Sequence, residues 1–369
     1  MPVHFTPTPR IRRSPFYDST VADGVVSFSV YNHMYMPTSF GDPMGEFRRL
    51  IQGVAMWDVA CERQVQLAGP DAGRLAQILC PRKLDRMQTG QGWYVPVCDH
   101  NGVLLNDPIL LKLAEDRYWL SIADGDLLLW AKAVAGERGL DVTVTEPDVS
   151  PLAVQGPKAI EVIADLFGDD VRSMGYFRFR ETELDGIPLV LARSGWSKQG
   201  GFELYLRDGS RGTELWNKIK IAGAPYDIGP GCPSGTERVE SGLLSFGGDT
   251  DAETNPFEVR MGQYVHLDAP DDCIGIGELR AIAEREPQRH QLGVVFDHAE
   301  KMSLYDLHSQ VFKGNAPMGK MTTNTWSPRL EKNIGICLIS TGVQPGDTVT
   351  VELPTGQRLV GEMRELPFL

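Results

Sequence analysis

No two of the six cysteines (Cys61, Cys80, Cys98, Cys232, Cys273, Cys337) form a C-x-x-C pair, and no histidine stands at metal-ligand spacing beside any of them. That excludes zinc-finger and dithiol-redox readings and leaves buried or free thiols in a reducing compartment. No window approaches the roughly 18 unbroken apolar residues of a membrane helix. Met1 to Ser14 carries Arg10, Arg12 and Arg13 without an apolar run behind them, so no secretory signal is expected. Basic charge is in deficit: 36 Lys and Arg against 49 Asp and Glu give a net charge of −13, which repels nucleic acid and anionic lipid. The expectation is a cytoplasmic protein with no nucleic-acid and no membrane partner. Internal repeats are absent. So are a Gly-x-Gly-x-x-Gly loop, a Walker loop, a Gly-x-Ser-x-Gly elbow and a His-Glu-x-x-His pair, and neither a nucleotide loop nor a metal is expected to carry the chemistry.

What is present is an ordinary globular composition over 369 residues, 42% hydrophobic, enough for two or three domains with real cores. From Arg63 to Thr145 short alternating runs are interrupted by two helical patterns. A strand at Arg63–Leu67 precedes a helix carrying Leu75, Ile78 and Leu79. Strands follow at Trp93–Cys98, Val103–Leu113 and Tyr118–Ile122, the first two joined through Asn101-Gly102, a hairpin signal. A second helix, capped by Asp124 or Asp126, runs through Leu127, Trp130 and Val134 to Gly139, and a strand closes at Val142–Val144. This order predicts a small α+β sheet with helices on one face. Between Asp148 and Ala269, strands at Pro188–Ala192 and Phe202–Leu206 accompany a helix near Thr213–Ile221. The first fifty residues lack a core of their own and are expected to join this region across the inserted sheet. From His290 onward the signals are nearly all strand, which predicts a small β-barrel or jelly roll.

Three polar clusters bear on function. Asn106-Asp107-Pro108 interrupts an apolar strand, and the missing Pro N–H forces a bulge or an edge, a device that re-aims side chains. A solvated kink is the structural alternative. In Arg193 to Tyr205, two strands flank a glycine-rich loop holding Trp196, Ser197 and Lys198, while Glu203 and Tyr205 share one strand face. Aromatic faces there would stabilise a cationic methyl group; the alternative is a hairpin with a packed Trp. Arg238-Val239-Glu240, read alone, favours a structural ion pair. His33, within Tyr31-Asn32-His33-Met34, stands beside a possible aromatic site, although a core or loop histidine is the simpler reading.

Met56-Trp57-Asp58-Val59-Ala60, Gly102 through Asn106-Asp107, Val154-Gln155-Gly156-Pro157, Arg193-Ser194-Gly195 through Gly201-Phe202-Glu203, Glu237-Arg238-Val239-Glu240, Asn255-Pro256-Phe257-Glu258, Trp326-Ser327-Pro328 and Leu366-Pro367-Phe368 resemble, in this order, the tetrahydrofolate-dependent aminomethyltransferase (glycine cleavage T-protein) family. Finer motifs, among them Trp57 to Gln64, Ser121 to Asp124 and Ser194 to Gly201, resemble a demethylating branch of that family.

The resemblance implies an α+β three-domain cloverleaf. Its parts would be a discontinuous folate-binding domain at 1–60 plus 148–280, an inserted ferredoxin-like domain at 61–147 and a C-terminal barrel at 281–369. It also implies tetrahydrofolate as cofactor, a small-molecule sulfonium substrate and redox-neutral methyl transfer; a homodimer is compatible with it. Carried over residue by residue, Asp107 matches the key carboxylate at the reactive side of the pterin and Glu203 the acid at the pterin's amino edge. Tyr94 and Tyr205 match aromatic positions of the folate and substrate site, and Arg238 joins Arg10, Arg12, Arg13, Arg193 and Arg260 as candidate folate-binding cations. Trp196, with Ser197, falls beside the methyl donor; Tyr31 and His33 are placed with it, and Lys198 is a partner for the donor's carboxylate. T-proteins usually read Tyr-Thr-Gly-Glu where this chain has Trp196-Ser197-Lys198-Gln199, which suits an anionic small substrate better than an amine on a protein arm. The alternatives are a true aminomethyltransferase, a demethylase of a methylated amine or aryl methyl ether, and a folate-binding scaffold without catalysis.

Overall fold

The computed structural model describes residues 8–298, 300–302 and 307–369; the part of the N-terminal reading that concerns residues 1–7 lies outside them. Two sheets packed face to face, each covered by helices on its outer side, make up the larger part of the chain. The six-stranded sheet has the order Phe179–Leu184, Ile187–Ala192, Gly201–Leu206, Ser150–Gln155, Ala55–Asp58, Gly229–Gly231. Its strands alternate with period two. Leu189, Leu191, Phe202 and Leu204 pack under the helices Ala159–Phe167 and Gly212–Gly223, while Val190, Ala192 and Tyr205 point to the other sheet. The pairing of Ala55–Asp58 with Ser150–Gln155, Leu152 opposite Asp58, joins the first sixty residues to the later region around everything between them.

That intervening segment forms a five-stranded antiparallel sheet ordered Thr143–Thr145, Gln64–Ala68, Arg117–Ser121, Ile109–Ala114, Gln91–Tyr94. Omitting the last, short strand, the order is 4-1-3-2 in a β-α-β-β-α-β chain, the ferredoxin-like arrangement. The helices Ala72–Leu79 and Leu127–Glu137 cover Val65, Leu67, Leu110 and Leu120 on one face, and Leu111, Leu113 and Trp119 on the other meet the six-stranded sheet. From Arg289 to Arg364 six strands close into a barrel around Val294, Phe296, Val311, Cys337, Ile339 and Val351. Outward-facing Ile334 and Ile336 pack on Val239. Among the described residues, no helix is long and apolar enough to cross a membrane.

Several local expectations need correction. The strand expected at Val103–Leu113 is two, Leu104–Asn106 and Ile109–Ala114, because Asp107-Pro108 interrupts the ladder; Val95-Pro96 likewise splits Trp93–Cys98 into Gln91–Tyr94 and Val97–Cys98. Asp126 precedes the second helix without a side-chain cap, and Asp124 instead accepts the Asn32 N–H at 2.8 Å. Barrel strand Ser309–Lys313 and helix Ile276–Ala283 were not apparent from periodicity.

Asp58, 3% exposed, ties the N-terminal segment to this core: it accepts Ser14 Oγ at 2.5 Å and the Ala60 N–H at 3.2 Å. Burial outweighs both bonds and pushes its carboxyl from 3.8 up to about 6. A folded-state pKa raised above the unfolded value gives stability that is full below pH 4 and lost as pH rises through 6, worth about 3 kcal/mol. Asp58→Asn is therefore expected to gain stability over the parent on going from pH 4 to pH 8, read by urea denaturation at each pH. An equal dependence in both proteins would refute this.

Candidate active site

A cavity of about 470 Å³ is lined by residues of both sheets and of the segment 233–264. Its size is that of a small-molecule site. Asp107 enters it from the broken strand. Pro108 cannot donate to the ladder, and Asn106, 1% exposed, holds the break open: its amide donates to Ala123 O at 3.1 Å, and its Oδ1 accepts the N–H groups of Ala123 (3.0 Å) and Asp107 (3.1 Å). Tyr94 OH then donates to Asp107 Oδ2 at 2.6 Å. Burial raises the Asp107 carboxyl from 3.8 to about 7 against the Tyr94 bond, and Asp249 adds a smaller upward push. Burial, then the charge of Asp107 and the hydrogen bond to it, raise the Tyr94 phenol well above its usual value.

Glu203 and Tyr205 reach the same cavity because period two puts them on the inner face of Gly201–Leu206. Glu203 Oε2 accepts from Ser194 Oγ and, at 3.2 Å, from Tyr205 OH. Desolvation raises its carboxyl, and these two donors oppose the rise. The loop between the strands is pinned by Gln155, fully buried, which donates to Ser194 O (3.0 Å) and Phe202 O (3.3 Å) and accepts Ser197 Oγ (2.8 Å). Gly195 and Gly201 are required for that approach: φ is +150° and +148°, and a Cβ would sit 2.1 Å from the Gln155 side chain and 2.4 Å from Val154 O respectively. Trp196, at the loop's turn, lines the cavity and donates from Nε1 to Leu244 O at 3.2 Å.

The structure thus brings Tyr31, Tyr94, Asp107, Trp196, Glu203 and Tyr205 together. It does not bring Ser197, Lys198, His33 or Arg238 to the wall. Ser197 is engaged by Gln155, and Lys198 is exposed while its N–H is taken by Glu237 Oε1 at 3.1 Å. His33 occupies, with Asn32, a tight turn at φ 60° and 49°; Asn32 is clamped to Cys61 O and Ala123 O, which turns the His33 ring out to solvent near Asp126. Arg238 Nη1 pairs with buried Asp249 at 2.6 Å. Of the six candidate folate-binding arginines, Arg260 alone is in the lining. Sequence reading gave no role to Glu62, Tyr176, Phe177, Phe246 or Tyr264, which complete the wall. Glu62 had one available signal, its place inside the motif Trp57 to Gln64, but no periodicity marks a turn residue. Its carboxyl is raised well above its usual value by burial, then by Glu203 and Asp107.

A cleft with eight aromatic rings and three raised carboxyls, walled by the two sheets and the segment 233–264, has the size and the lining of a small-molecule site. The chain belongs to the glycine cleavage T-protein family: residues 16–269 match the GCVT N-terminal domain and residues 289–369 the glycine cleavage T-protein C-terminal barrel domain. Within it, the chain is 44% identical over 355 residues to dimethylsulfoniopropionate demethylase DmdA of Ruegeria pomeroyi, covering 96% of each chain. It is 30% identical over 356 residues to an aminomethyltransferase of a Synechococcus species, covering 92% of this chain and 94% of that one. The crystal structure of glycine cleavage system aminomethyltransferase T from Bartonella henselae superposes with a TM-score of 0.84 at 21% identity over 97% of this chain and 98% of that one, which establishes the fold.

Proposed function

We propose that this protein moves a methyl group from dimethylsulfoniopropionate to tetrahydrofolate and releases 3-(methylthio)propionate and 5-methyltetrahydrofolate. The observation that carries the reading is the cavity itself, where carboxyls wait among aromatic rings with a single arginine beside them. That environment suits a cation and a polar, flat ring system, and it agrees with the 44% identity to a demethylase.

Tetrahydrofolate, when bound, supplies the nitrogen that accepts the methyl group. Glu203, with its two donors behind it, accepts hydrogen bonds from the pterin edge, and Tyr94 and Tyr205 bound the ring. Tyr31 and Trp196 flank the methyl donor. The C–S bond breaks with its electron pair kept by sulfur, so a neutral thioether leaves and no acid is needed. Asp107 places negative charge where positive charge arrives and takes the proton set free. The chain's main task is to hold the partners at near-attack distance with water excluded.

Anaerobic incubation of the purified protein with tetrahydrofolate and dimethylsulfoniopropionate, followed by mass spectrometry, should give 5-methyltetrahydrofolate and 3-(methylthio)propionate in equal amounts. Binding of both compounds without either product would sink the reading and turn the search to other methyl donors and to a lipoyl carrier.

A further inference from the structure

Of the three carboxyls in the cavity wall, two are already held by the protein: Asp107 by Tyr94 at 2.6 Å, and Glu203 by Ser194 and by Tyr205 at 3.2 Å. Glu62 differs. Its backbone is fixed in the turn after Ala55–Asp58 by Glu62 N–H to Val59 O and Arg63 N–H to Cys61 O, both 2.9 Å, yet its carboxylate accepts no hydrogen bond among the described residues. It stands close enough to Asp107, Glu203 and Tyr31 for their charges to act on one another. The cation in the lining, Arg260, is committed elsewhere, with Nε on Gln291 Oε1 at 3.0 Å and Nη2 on Gly242 O.

Glu62 is half-buried in the cavity wall, and a carboxyl there without an internal donor keeps its proton in the free protein and ionises when a positive partner enters beside it. A ligand with N–H groups would be gripped by hydrogen bonds. An onium carries no such donor and is held by charge and by aromatic faces, so an acceptor-only group beside Tyr31 matches it. We propose that Glu62 is the specificity-determining residue for a positively charged methyl donor, supplying the counter-charge to its onium centre. The inference rests on the reading above that the donor is a sulfonium.

The test compares binding of dimethylsulfoniopropionate with that of 4-methylpentanoate, in which an uncharged CH replaces the sulfonium, using calorimetry on the parent protein, Glu62→Gln and Glu62→Asp. The parent should prefer the cation. Glu62→Gln should lower that preference by about ten-fold or more while 4-methylpentanoate and tetrahydrofolate affinities stay within about two-fold, and Glu62→Asp should keep part of the preference. An unchanged preference in Glu62→Gln, or a loss confined to tetrahydrofolate, would overturn the assignment and make Glu62 a pterin contact. Methyl transfer by the parent is scored separately: a lost preference in a protein that makes no product removes the proposed reaction and leaves Glu62 as an onium site, whereas an intact reaction with an unchanged preference does the reverse.

Discussion

Asp107→Asn is expected to lower kcat by about two to three orders of magnitude while tetrahydrofolate affinity changes by no more than about three-fold. Asparagine keeps the acceptor for Tyr94 OH, 2.6 Å away in the parent, and the Asn106 clamp on the local backbone is untouched, so the geometry survives the substitution. What is lost is the negative charge. In the proposed reaction one positive charge is conserved at the reacting centre and moves from sulfur to nitrogen; only a group at the receiving end gains interaction energy on the way to the transition state. A low-dielectric wall amplifies that gain. The pH profile offers a second check. Burial places the Asp107 carboxyl at about 7 in the free protein, so the reactive anion grows as pH rises through 7, and kcat/KM should climb and then level off. The asparagine variant should lack this limb. A variant with unchanged kcat and weakened folate affinity would reassign Asp107 to binding alone.

The legibility of this site in the sequence follows the range of the interactions that build it. Asp107 could be found because Pro108 breaks a strand pattern next to it, and Glu203 with Tyr205 because period two is a property of a single strand. The inserted α+β sheet and the C-terminal barrel are readable from alternation and turn chemistry for the same reason, whereas the packing of the two sheets is not. Glu62, Tyr176, Phe246 and Tyr264 come from turns and crossing segments distant in sequence, which local patterning does not connect. Lys198 and His33 are the reverse case, residues expected at the substrate that lie outside the cavity lining. Their chemistry fits an anionic substrate and an aromatic site, but backbone geometry decides where they point: the Glu237 bond to the Lys198 N–H and the Asn32 clamp leave both side chains exposed. The same limit explains the helix Ile276–Ala283, where only Ile276 and Leu279 are buried and no clear apolar stripe forms.

Arg238 was legible in two ways, as half of an ion pair and as a folate-binding cation, and the structure shows what separates them. Its side chain is 9% exposed, and the guanidinium meets Asp249, which is fully buried, at 2.6 Å. Asp249 in turn accepts the Ser245 N–H at 2.9 Å and Thr322 Oγ1 at 2.7 Å, and Arg238 also reaches Leu243 O at 3.3 Å. One buried pair thus fastens the segment from Gly242 to Phe246, a wall of the cavity, to a strand of the barrel. Arg238→Ala strands the Asp249 charge in the interior, so a loss of about 3–5 kcal/mol is expected in urea denaturation at pH 7. The double variant Arg238→Met with Asp249→Asn removes both charges, fills the space and keeps an acceptor for Thr322, and should be more stable than Arg238→Ala by most of that loss. Folate affinity should follow the same order, weak in the single variant and recovered in the double, since the wall is held again without any cation at 238. If Arg238→Ala keeps full stability, or if the double variant is stable but still binds tetrahydrofolate poorly, the guanidinium acts on the ligand directly and the pair with Asp249 is secondary.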